Sequence, residues 1–261
     1  MFSASVFPAR VRSEPALLIT ATPYAGKTQS WAQALIFREL VRQAVFIAAS
    51  QDADRWAADE AFDGYNEPGA AARPRVRVDT QLKDGRLTAT VQREASAASP
   101  PYTLDVAAGG RDDQQVEAAA RGLAPLMRTG LPAWLKENLP ATPPPRVTGL
   151  LAAKRLAQLE KEPSPYAAFE LLRHWHARAR TAGAAPEVLA GLARSYAVLG
   201  ESSRHAWNAF PMACDARALL YLAWLEDAHP QHPLAAETRA WVRGLTGYHA
   251  LAAAALDELA K

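Results

Sequence analysis

The spacing of hydrophobic positions changes near residue 140. Before it, short apolar runs and alternating stretches dominate. After it, apolar positions recur at helical spacing and are punctuated by Pro and Gly. Leu17-Leu18-Ile19-Thr20-Ala21, ended by Pro23 and Gly26, predicts a buried strand and a loop. Ser30 is placed to cap a helix over 31–44, in which Ala34, Phe37, Leu40, Val41 and Ala44 share a face. Val45-Phe46-Ile47-Ala48-Ala49 reads as a second buried strand, completing a parallel, right-handed strand–helix–strand unit. A short helix over 54–62 and a loop over 64–74 follow.

Asp84-Gly85 is the clearest local signal, because a two-residue hairpin turn needs positive φ at its centre. That turn sets Leu82 opposite Leu87, Thr80 opposite Ala89 and Val78 opposite Val91 on one face. Gln81 with Thr88, Asp79 with Thr90 and Arg77 with Gln92 occupy the other. One face is apolar and one polar, as a half-buried antiparallel ribbon requires. Residues 102–107 alternate Tyr102, Leu104 and Val106 and predict another strand. Asp112 or Asp113 then caps a helix with a stripe of Val116, Ala120, Leu123 and Met127.

Leu139-Pro140-Ala141-Thr142-Pro143-Pro144-Pro145 is a stiff connector. It divides the chain into an α/β part over 1–138, a Pro-rich linker over 139–147 and an all-α part over 148–261. Helices are expected at 148–161, 164–181, 186–199, 213–228, 234–246 and 249–260, with connections short enough to make antiparallel hairpins. The fold class expected is α+β for the first part, with a small mixed sheet, followed by a helical-hairpin array.

The order of elements over 15–130 resembles the amino-terminal domain of TolB and its relatives in CadC-type regulators. The hairpin from Val76 to Gln92 and the turn Gly110-Arg111-Asp112-Asp113 carry that resemblance. It implies a regulatory setting in a bacterium and transfers no catalytic set. Leu189-x-x-Leu192-Ala193-x-x-Tyr196-x-x-Leu199-Gly200-Glu201 resembles the first helix and turn of a tetratricopeptide repeat, with an echo from Ala236 to Tyr248 followed by Ala252, Ala255 and Leu256. Gly200 and Gly247 are spaced more widely than the standard repeat, so these are degenerate or lengthened copies. Repeats of this kind imply binding of a protein or peptide.

Composition narrows the function classes. With 29 basic and 27 acidic residues the net charge is +2, which gives no electrostatic case for nucleic acid or an anionic membrane. The single Cys214 allows no internal disulfide. The first residues lack a secretion signal, no apolar run is long enough to span a bilayer, and a cytoplasmic location is the expectation. The final segment, Leu251 to Lys261, has no polar capping helix, so the C-terminal helices are placed either to continue into more chain or to pair with a second copy.

Ala21-Thr22-Pro23-Tyr24-Ala25-Gly26-Lys27-Thr28 differs from a phosphate-binding loop only in its first residue. Such a loop uses backbone N–H groups, a Lys and a magnesium-holding Thr. Pro23 removes one N–H, only one Gly remains, and no apolar run ending in Asp follows at a suitable distance. An ordinary strand–helix loop is the reading adopted; nucleotide binding by Gly26, Lys27 and Thr28, in an ATPase or kinase-like protein, is its rival. His174 and His176 point apart on a helix, and His205, His229, His232 and His249 scatter near helix ends, so no metal site is expected. Cys214 reads as a small buried residue, and Asp52, Asp54, Asp59, Glu60 and Asp63 as a solvated acidic face. Trp175, Tyr196, Trp207, Trp224 and Trp241 are the aromatic weight of the helical part. Most belong in a core, and any one exposed in a groove would anchor a partner. Trp175, His176, Tyr196, Trp207 and Trp224 form the candidate partner-binding set. The expectation is a non-enzymatic scaffold without a cofactor, engaging a protein through its helices.

Overall fold

The structure is a computed structural model. It describes residues 17–21, 31–51, 58–59, 74–94, 99–110, 112–140, 149–162, 164–205 and 209–260. Its strands are β1 (Leu17–Ala21), β2 (Ala58–Asp59), β3 (Arg75–Lys83), β4 (Arg86–Arg93) and β5 (Tyr102–Ala107). They form one mixed sheet in the order β2-β1-β3-β4-β5. β1 runs parallel to β2 and β3, and the remaining pairs are antiparallel. The hairpin has the register that its turn dictates, with Leu82 opposite Leu87 and Val78 opposite Val91. Asp84 and Gly85 both adopt positive φ, 50° and 70°, as a primed turn requires. Val76, Val78, Thr80, Leu87, Ala89, Val91, Leu104 and Val106 are buried on the sheet's inner face.

That face is covered by α1 (Trp31–Gln51) and α2 (Asp112–Arg128). The stripe Val116, Ala120, Leu123 and Met127 on α2 is buried as its spacing predicts. α1 overturns one expectation, since residues 45–49 continue the helix and make no strand. No Gly or Pro interrupts 31–51. The helix is also covered twice, by the sheet and by a helix from the second half, and over 45–49 it is apolar all round, so no polar position marks the helical period there. The parallel partner of β1 beyond the helix is instead β2, at two residues of the expected 54–62 helix. The rest of 54–62, and 64–73 of the expected loop, lie outside the described residues.

After α2 comes a helix that the hydrophobic spacing does not predict, α3 (Gly130–Asn138), which buries Leu131, Trp134 and Leu135. The Trp134 indole N–H donates to the Pro100 carbonyl at 2.9 Å, tying α3 to the entry of β5. Residues 141–147 of the expected linker, and residue 148 of the expected helix over 148–161, lie outside the described residues.

The second half contains α4 (Ala153–Leu159), α5 (Pro165–Ala182), α6 (Pro186–Ser202), α7 (Phe210–Ala228), α8 (Pro233–Leu245) and α9 (His249–Leu259). Proline in the first turn of α5, α6, α7 and α8 starts each helix where the missing N–H costs nothing. Ser164 adds a side-chain cap, accepting from the Ala167 N–H at 3.1 Å.

α7 is the pivot of the molecule. Every residue from 213 to 225 is buried, because α7 packs against α1 and α2 on one side and α6 and α8 on the other. One hydrophobic cluster therefore runs from Ile19 in the sheet to Val242 in α8. A two-pronged ion pair crosses the same boundary: the Arg243 guanidinium donates to both Glu117 oxygens at 2.7 and 2.8 Å. Glu117 is buried and also accepts from Arg121 at 3.0 Å.

Candidate functional site

A groove of about 750 Å³ lies on the helical half. Its floor is the face of α6 carrying Ala190, Gly191 and Ser195, small residues that leave space above the helix. One wall is α5 with the end of α4, presenting Leu171, Trp175 and Leu159; the other is α8, presenting Leu234 and Trp241 one heptad apart. Trp241 is 46% exposed, whereas Trp175 is only 9% exposed and forms part of the wall's foundation. The other large exposed apolar side chains, Leu150, Tyr166, Phe169, Leu256 and Leu259, lie outside the groove lining.

Trp175 stands where it does because residue 191 has no side chain. A Cβ there would lie 2.2 Å from the indole Cε2, so the ring rests directly on the α6 backbone. His174 abuts the same indole edge-on at 4.8 Å. Its Nδ1 accepts the Leu151 N–H at 3.0 Å, and burial lowers its pKa, which keeps the ring neutral and able to accept.

The groove rim is charged. Glu160, Lys161 and Glu162 follow α4, and Glu187 begins α6. Arg194 also reaches the lining, but its guanidinium is held by Glu237 at 3.1 Å and by the Thr238 hydroxyl at 3.1 Å.

The candidate aromatic set has different addresses. Trp175 borders the groove. His176 and Tyr196 lie behind it in a polar network: His176 Nε2 and the Tyr196 hydroxyl are 2.8 Å apart, and that hydroxyl accepts from Arg217 at 2.9 Å. Arg217 in turn donates to Gln43 Oε1 at 2.6 Å, and its guanidinium stacks 3.7 Å over the Phe46 ring. Gln43 and Arg42 both donate to fully buried Glu39, at 3.0 and 2.9 Å. Trp224 is buried and stacks on Tyr221, which stacks on Tyr196. Burial raises the Tyr221 pKa, so its hydroxyl stays protonated. This network joins α5, α6, α7 and α1 and shapes the wall from behind, through Trp175 on the same helix as His176. Trp207 lies outside the described residues, as do Gly26, Lys27 and Thr28, although strand β1 and helix α1 flank that loop as its position requires.

Trp241, Gly191 and the rim carboxylates were not in the candidate set. Trp241 differs from Trp175, Tyr196 and Trp224 in facing outward, which depends on how α8 packs on α6. The small residues Ala190, Gly191 and Ser195, which fall on one face of α6, were the available signal for a close approach.

Among the described residues no cluster of His, Cys, Asp and Glu is arranged to hold a metal ion, and no helix is long and apolar enough to cross a membrane. Cys214 is buried. Comparison with protein-family models, with curated proteins and with solved structures gave no match.

Proposed function

We propose that the protein is a non-enzymatic scaffold that captures a short segment of another protein in the groove between α5, α6 and α8. One observation carries the reading: a large indole, Trp241, is left half in solvent facing a cavity with a small-residue floor. Apolar area held out of packing and aimed into a concave space is the usual form of an anchor pocket. The α6–α7 and α8–α9 pairs then serve as degenerate tetratricopeptide-like hairpins, and the sheet with α1 and α2 as a TolB-like module that buttresses them. A regulatory role in a bacterial signalling setting follows from those two resemblances.

Selection of random displayed peptides on the whole protein tests this. Binders are expected whose affinity falls more than tenfold with Trp241→Ala, the loss typical of a central anchor. Failure to enrich any peptide sensitive to Trp241→Ala would contradict the reading.

A further inference from the structure

We infer that the segment held in this groove is cationic: aliphatic anchors flanked by Lys or Arg. The inference rests on the groove being a binding site and adds the chemistry of its occupant. Three carboxylates, Glu160, Glu162 and Glu187, line it, against the ammonium of Lys161 and the guanidinium of Arg194. Arg194 is already neutralised by Glu237, so the rim carries an excess of negative charge. Among the described residues the Glu162 carboxylate accepts a hydrogen bond from the Ser164 hydroxyl alone, at 3.1 Å. Glu160 and Glu187 are exposed, with no ion pair among the described residues, so both can meet an incoming cation without first breaking a bond.

The groove interior points the same way. Its floor is apolar apart from Ser195, whose residue is buried, and among the described lining residues Lys161 on the rim is the one cation without an ion pair, set between Glu160 and Glu162. The exposed face of Trp241 is itself a cation acceptor, since the indole is the best aromatic partner for an ammonium or guanidinium. Leu or Ile side chains fit over Ala190 and Gly191 between the two indoles, while basic side chains reach the carboxylates on either flank. An acidic segment would set like charges together at both ends of the groove.

The test uses synthetic fluorescein-labelled peptides sharing the same Leu and Ile anchors, with flanks of Lys/Arg, Ser or Asp/Glu. The Lys/Arg peptide should bind at least about tenfold tighter than the Asp/Glu peptide and weaken as salt rises. The triple variant Glu160→Lys, Glu162→Lys, Glu187→Lys should reverse the order without changing the melting temperature of the free protein, these residues being exposed. Groove binding, identified by its loss in Trp241→Ala, with no preference among the flanks would overturn the cationic assignment while leaving the groove as a site. Binding of all peptides unaffected by Trp241→Ala would overturn both. Concentration-dependent dimerisation abolished by Trp241→Ala would assign the groove to a second copy and overturn the proposal.

Discussion

Asp215 is placed where a carboxylate is costly. It lies on α7 against the end of α6, 8% exposed, and its Oδ1 has no hydrogen-bond partner among the described residues. Oδ1 occupies the space a side chain at Gly200 would need, and Oδ2 is 3.8 Å from Arg204. Burial pushes its pKa up to about 7; Arg204 pulls the other way and Glu201 adds to the rise. The folded protein therefore holds a proton that the unfolded chain releases near pH ~4. The protonated carboxyl's contribution is intact below that value and declines as pH rises to about 7. Asp215→Asn removes this cost, so the variant is expected to be more stable than wild type at pH 8 by on the order of 1–3 kcal/mol, with the gap closing toward pH 4. Thermal unfolding at both pH values checks this, and an equal gap at both would contradict it. Nothing in the sequence marked Asp215, because its environment comes from α6 and from Arg204 beyond the turn. Trp241 illustrates the same blindness from the opposite side: tertiary packing buries Trp175, Tyr196 and Trp224 and leaves Trp241 exposed, with nothing in their local sequence to tell them apart.

Elements differed in legibility for reasons of the same kind. The β3–β4 hairpin could be read to the level of individual pairs, since a two-residue turn fixes register locally and alternation fixes the face. Gly85→Val should cost about 1–2 kcal/mol, because φ there is 70° and a β-branched residue is strained in that region. Chemical denaturation measures it, and an unchanged midpoint would mean the turn is not under that constraint. The end of α1 could not be read, since an apolar run packed on two sides looks the same as a buried strand. α3 escaped notice because its three buried positions are too few to establish a period. The α2–α8 contact was invisible for a further reason: Glu117 and Arg243 are far apart in sequence and resemble ordinary surface charges. Arg243→Ala should cost about 2–3 kcal/mol by stranding buried Glu117 with, among the described residues, the exposed Arg121 alone as partner. Adding Glu117→Gln should recover part of that loss by removing the stranded charge; no recovery would mean that lost packing by Arg243 dominates.

For the whole molecule, α7 is the feature that makes sheet and helices interdependent. It is buried against α1 and α2 as much as against α6 and α8, and the Arg217–Gln43 and Arg243–Glu117 contacts cross the same boundary. Unfolding should consequently be a single transition, with circular dichroism and tryptophan fluorescence coinciding, whereas two resolved transitions would show the halves to be independent. Every described strand lies before the change of hydrophobic period near residue 140, and the described elements after it are all helices. That change could not reveal that one cluster serves both sides, because apolar helices give no sign of which neighbour covers them. On this arrangement α1 and α2 pack on α7, and the groove lies on the far helices, between α5, α6 and α8. The most direct check is hydrogen exchange of the whole protein, free and bound to a selected peptide. Protection should rise at the α4–α5 junction and along the α6 and α8 faces that line the groove. Protection confined to the sheet, or to the loop around Gly26, Lys27 and Thr28, would contradict the account and place the functional site in the other half.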